Sequence, residues 1–94
     1  MNRIEEAKSL LREEKKEAAI CLLREELEKH PDAETEEHIL YELGVIYNGM
    51  ADFRQALNCF NAVLRLNENH SQARTHVAMI NDILDFYNKD LLNP

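Results

Sequence analysis

Four histidines, two cysteines and 18 Asp/Glu residues are the side chains of this 94-residue chain whose types suit metal binding, redox work or proton transfer. His30, His38, His70 and His76 form no H-x-x-x-H pair, and none stands at ligand spacing from Cys21 or Cys59. No metal or other cofactor is therefore expected. Cys21 and Cys59 lie in apolar helical stretches and belong to no C-x-x-C, so they read as small packed hydrophobes rather than a disulfide or redox pair. Glu25-Glu26 and Glu36-Glu37 are adjacent on helices and point in different directions, which suits solvated carboxylates and not an acid/base couple. With no Gly-rich phosphate loop either, the chain is not expected to be an enzyme.

The bulk composition narrows the alternatives further. Charged residues make up 31% and hydrophobic ones 45%, the mixture of a helical protein with one modest core. A net charge of −7 argues against a nucleic-acid partner, because binding phosphates needs a basic face. Residues 1–37 carry most of the excess, with 7 Lys/Arg against 12 Asp/Glu. Such a surface is ordinarily a solvated helix face, a basic partner being the other reading. No apolar run approaches the roughly 20 residues of a membrane span. "MNRIEEAKSLLREE" is acidic too early for a signal peptide, so the expected location is the cytoplasm.

The elements that must position these groups are helices. Ile4, Ala7, Leu10 and Leu11 recur at helical spacing, and after "EEKK" a second stripe runs through Ala19, Ile20, Leu23 and Leu27 to a stop at Pro31. Asp32 is the expected N-cap of a third helix, with Glu34, Glu36 and Glu37 suiting the positive end of its dipole. Its inner face is Ile39, Leu40, Leu43, Ile46 and Tyr47. Asp52 with Gln55, and Asn69 with Gln72, resemble capping boxes that open the fourth and fifth helices. The fourth packs Phe53, Ala56, Leu57, Phe60, Val63 and Leu64. No period-2 alternation is sustained anywhere, so the fold class is all-α: about five helices, antiparallel to their neighbours.

Both glycines of the chain fall in "YELGVIYNGM". Gly49 follows the last apolar position and is expected to be the left-handed residue that ends the helix. Gly44 lies inside the helix, where a glycine costs about 1 kcal/mol relative to Ala. It is expected to mark a close backbone approach, with Ala56 as its small counterpart and Tyr47 and Phe60 filling the wider ends of the hairpin.

Leu40, Leu43-Gly44, Tyr47, Asp52-Phe53, Ala56-Leu57, Phe60, Val63-Leu64 and Leu66 together resemble the tetratricopeptide repeat, a helix–turn–helix unit of roughly 34 residues. Residues 37–70 form the clear copy, with Glu68 where the family has proline. Residues 3–36 look like a degenerate earlier copy, carrying Ala7, Leu10, Ala19-Ile20, Leu23, Leu27 and Pro31 at family positions, with about three extra residues after Pro31. Residues 71–92 read as a capping helix. The resemblance implies one domain over residues 1–94, built as a right-handed superhelix of repeats, and a scaffold that binds proteins instead of a catalyst.

In that family the first helix of each repeat lines a concave groove for a peptide or a partner helix. The matching positions here are Ile4, Lys8, Leu11 and Arg12, then His38, Tyr41, Val45 and Asn48, then Thr75 and Met79. Some members clamp a carboxylate with basic residues across three repeats; this chain has Lys8, Arg12 and Asn48 but no basic residue at the groove positions of the capping helix. Tyr41 is the expected anchor. The rival reading is self-association. Beside the stripe Ala73-Val77-Ile80-Leu84-Tyr87-Leu91, the capping helix carries Met79, Ile83 and Phe86. The two stripes together exceed the roughly 100° that one packing contact needs, so a homodimer through this helix is a possible use of the surplus.

Overall fold

Five α-helices follow one another: α1 Arg3–Arg12, α2 Lys16–Glu28, α3 Ala33–Gly49, α4 Phe53–Leu66 and α5 Ser71–Leu92. The computed structural model describes the backbone of residues 2–92 and side chains as far as Tyr87, and no strand occurs among the described residues. The chain is all-α.

Four of the five starts are fixed by a side chain that accepts from an otherwise unpaired helix N–H. Asn2 Oδ1 takes Ile4 N–H at 2.7 Å, Asp32 Oδ1 takes Thr35 N–H at 2.8 Å, and Asp52 Oδ1 takes Gln55 N–H at 3.4 Å. Only α2 begins without a side-chain cap. α5 departs from the sequence expectation. Its cap is His70, not Asn69: the His70 ring Nδ1 accepts from Ala73 N–H at 3.1 Å, and His70 O accepts from Arg74 N–H. Asn69 belongs to the preceding turn, where its N–H bonds Asn67 Oδ1 at 3.1 Å.

The first three helix ends share one device, and Gly49 is not part of it. Gly49 is still helical, no glycine has positive φ, and the left-handed residues are Glu14, His30 and Ala51, with φ of 63°, 54° and 60°. In α3 the Ala51 N–H reaches Asn48 O at 3.0 Å while Asp52 N–H reaches Tyr47 O at 2.9 Å. These are the paired bonds of a Schellman ending, displaced two residues beyond Gly49. Glu14 and Lys15 repeat the pair on Leu11 O and Leu10 O. At the end of α2 His30 N–H takes Leu27 O, and Pro31, having no N–H, leaves the second bond unmade.

The core follows the apolar stripes. Ile4, Ala7, Ala19, Leu23, Ile39, Leu43, Ile46, Tyr47, Ala56, Cys59, Phe60, Val63, Ala73 and Ile80 are buried. Cys21, in contrast, is exposed, and both thiols are free. Gly44 does mark a close approach, but the group that approaches is the Phe60 ring. A Cβ added at Gly44 would lie 2.7–2.9 Å from three Phe60 ring carbons. A side chain at this position would collide with the Phe60 ring, which stands on α4 one turn beyond Ala56. Tyr47 is buried as well, and its hydroxyl accepts from Arg24 Nε at 3.1 Å and Nη2 at 2.5 Å. That bond is the main reason the Arg24 guanidinium sits above its ordinary range.

Packing is chiefly between consecutive helices, α3 with α4 above all. The short connections make neighbours antiparallel, so α1, α3 and α5 run the same way. Side chains join these odd helices directly: Lys8 Nζ lies 3.8 Å from Glu42 Oε1, and the Tyr41 hydroxyl lies 3.4 Å from His76 Nε2. The result is a slab of 52 × 30 × 20 Å. Its radius of gyration is 14.4 Å, against about 12 Å for a fully compact chain of this length. The chain is therefore elongated rather than spherical.

Candidate functional site

Helix α3 carries Glu34, Glu37, His38, Tyr41 and Val45 on one stripe, spaced three or four residues apart. The opposite stripe holds Ile39, Leu43, Ile46 and Tyr47 in the core. Core packing therefore aims the first stripe at the face shared with α1 and α5. Two open clefts flank it. One, of about 690 Å³, lies toward α1 and the end of α2; Ile4, Arg3, Glu26, Lys29, Asp32 and His38 are among its lining residues. The other, of about 420 Å³, lies toward α5 and is lined by Glu34, Glu37, His38, Tyr41, Glu42, His70 and Gln72. Glu34 and His38 line both, so the two clefts lie side by side along the α3 stripe, and together they make up a trough.

The floor of the second cleft is an aromatic stack. Tyr41 packs at 5.7 Å from Phe60, 5.0 Å from His70 and 5.9 Å from His76, measured between ring centroids. His76 lies parallel over Phe60 at 4.6 Å. Burial, with some help from the Glu42 carboxylate, pushes the Tyr41 phenol up, which keeps it a neutral hydroxyl. The rim is tied down by hydrogen bonds between elements. Glu37 Oε2 accepts from Asn67 Nδ2 at 3.1 Å and lies 3.9 Å from His70 Nε2. With Nδ1 of His70 accepting from Ala73, the neutral ring has its proton on Nε2, facing that carboxylate. Glu42 Oε1 draws both Lys8 Nζ and His38 Nε2, the latter at 3.6 Å.

The groove residues expected from sequence fall into three groups. His38 and Tyr41 line the α3–α5 cleft, and Ile4 and His38 line the other. Ile4 is buried, so it serves the floor and the core. Val45 and Met79 are exposed one turn beyond Tyr41 and His76, and they are apolar surface outside the lining of both clefts. Leu11 packs against the core, Asn48 is half-buried, and Arg12 and Thr75 are turned to local partners, Ser9 Oγ and Ser71 O. Lys8 is engaged by Glu42 and, at 4.0 Å, Glu5. Tyr41 is as much a packing residue as an anchor.

What the sequence reading missed is the acidic rim. In the sequence Glu37 reads as a solvated carboxylate and Glu34 only as suiting the helix dipole, while Glu42 does not stand out, yet Glu34 and Glu37 share a stripe with His38 and Tyr41. That shared period was the available signal.

On α5, Met79, Phe86 and Tyr87 are 54%, 63% and 58% exposed, and Ile83 is half-buried. Tyr87 was expected on the packed stripe but stands outside, edge-on to Phe86 at 5.8 Å between centroids. Phe86 does not fold back onto α4. Leu91 lies outside the described side chains. Among the described residues, no group of three or more His, Cys, Asp or Glu is placed to hold a metal ion, and no helix is long and apolar enough to cross a membrane. Burial raises the Cys59 thiol, leaving it a poor nucleophile. Compared with protein-family models, curated proteins and solved structures, the chain has no match.

Proposed function

We propose that this chain is a tetratricopeptide-like interaction module, with repeats at residues 3–36 and 37–70 and a cap at 71–92, that takes a peptide or helix of another protein in the trough across α1, α3 and α5. The observation that carries this reading is the pair of clefts along one face of α3, which share Glu34 and His38, with Val45 and Met79 exposed one turn further along their helices. The elongated shape supports it too, because helix pairs that stack rather than close into a bundle would leave one face of the odd helices unpartnered. The role is non-catalytic, without cofactor, nucleic acid or membrane, and the location proposed is the cytoplasm. Selection from a random peptide display library tests it. Selected peptides should lose at least about tenfold in affinity to Val45→Ser with Met79→Ser, since removing two apolar contacts is worth that much. Unchanged affinity would place the binding surface elsewhere.

Self-association is the second reading, favoured by the exposure of Met79, Phe86 and Tyr87 on one helix. Sedimentation equilibrium decides it. A dimer that becomes a folded monomer on Met79→Glu with Phe86→Glu supports it, and a wild type monomeric at high concentration rejects it.

A further inference from the structure

The trough is not charge-neutral, and its charge says what kind of segment it suits. Three carboxylates, Glu34, Glu37 and Glu42, line the α3–α5 cleft, with no Lys or Arg among its lining residues. Lys8, which reaches the cleft's Glu42, is already divided between Glu42 and Glu5. Glu34 is exposed and makes no ion pair among the described residues. Glu37 is held in place by Asn67 through one oxygen, which leaves acceptor capacity on a carboxylate whose ordering cost has already been met. Between these groups lies the half-buried Tyr41 ring, and beyond it the exposed apolar surface of Val45 and Met79. A long cationic side chain matches this layout: its methylene stem lies on Tyr41 while its charged end reaches the glutamates.

Resting on the reading of this face as a docking surface, we infer that its occupant is a basic amphipathic segment, whose Lys or Arg side chains enter the α3–α5 cleft and whose apolar side chains cover Val45 and Met79. Lys8 and Arg12 are the two cations among the groove positions expected from sequence. Those two cations lie on α1, outside the lining of the α3–α5 cleft.

Three pools of capped 12-residue peptides test it, alike in their apolar positions and filled elsewhere with Lys/Arg, Ser/Gln or Asp/Glu. Binding is read by fluorescence anisotropy, and circular dichroism checks that every variant stays helical. The basic pool should bind about tenfold tighter than the neutral one, the worth of one charge-assisted hydrogen bond. Glu34→Gln with Glu37→Gln should remove that advantage. Glu17→Gln with Glu25→Gln, an equal charge change on the exposed surface of α2, should leave it intact. If both pairs act alike, the attraction is general and the cleft assignment is overturned. A neutral or acidic pool binding as well as the basic one overturns the inference while leaving the docking face standing. No binding by any pool overturns both.

Discussion

Gly44→Ala separates helix propensity from packing in a single methyl group. In an exposed helix interior the change would stabilise by about 1 kcal/mol. Here the new Cβ lands 2.7, 2.8 and 2.9 Å from Phe60 Cε1, Cζ and Cδ1, where carbon contacts are comfortable only near 3.5–4.0 Å. The ring would have to retreat by most of an ångström. Phe60 is fully buried, with His76 stacked parallel on it at 4.6 Å and Tyr41 at 5.7 Å, so it has nowhere to go. Overpacking of this kind costs about 1–3 kcal/mol, and a blocked ring belongs at the upper end. Subtracting the propensity gain leaves a net loss of about 1–2 kcal/mol, or roughly 5–15 °C in Tm for a domain of this size. Gly49→Ala is the matched control, since nothing lies within 4 Å of its added Cβ and its φ is not positive; it should hold or raise the Tm. In a Phe60→Leu background the penalty of Gly44→Ala should shrink or vanish. A thermal melt of Gly44→Ala at or above the wild-type Tm would show that the α3–α4 interface is not packed this way.

Four further outcomes follow from the helix ends and the α2–α3 contact. Ala51→Gly should raise stability by about 1 kcal/mol in urea melts, because Ala51 holds a left-handed conformation at the end of α3. His70→Ala should cost about 0.5–2 kcal/mol by uncapping α5, with His70→Asn largely restoring it, whereas Asn69→Ala should have a smaller effect. Tyr47→Phe should cost about 1 kcal/mol by removing the acceptor of the Arg24 guanidinium. The Thr35 N–H holds the Asp32 carboxyl below its ordinary range. Its contribution is therefore complete above about pH 4 and fades as the pH falls through the lowered value, so Asp32→Asn should flatten that part of an acid titration of stability.

The helices were legible because their signals are local. Asp32 and Asp52 cap where short polar residues precede apolar stripes, and Pro31 stops α2 because the ring that follows His30 excludes helical geometry. The errors arose where a rule about residue type met a competing geometry. Gly49 met every preference for a left-handed ending, but α3 runs through Gly49 to a cap at Met50 and gives that role to Ala51, whose N–H and that of Asp52 close the last turn. His70 displaced Asn69 as the cap because its ring reaches Ala73 while Glu37 stands behind it. Gly44 was readable as a close approach, yet its partner was not, since Ala56 and Phe60 share one face of α4 and which of them lies opposite depends on how far α4 is slid along α3. The trough was hardest of all to foresee. Its acidic rim joins residues of α3 to His70 and Asn67 some 30 positions away, a proximity that no local pattern encodes.

The claim that the odd helices form the docking face is tested most directly by titrating the ¹⁵N-labelled protein with a display-selected peptide and following its amide resonances. The largest shifts should fall at Lys8, His38, Tyr41, Val45 and Met79, with Cys21, Glu25, Arg54 and Asn58 unmoved. Shifts concentrated on that second set, or at Phe86 and Tyr87 alone, would contradict the assignment of the trough as the binding site.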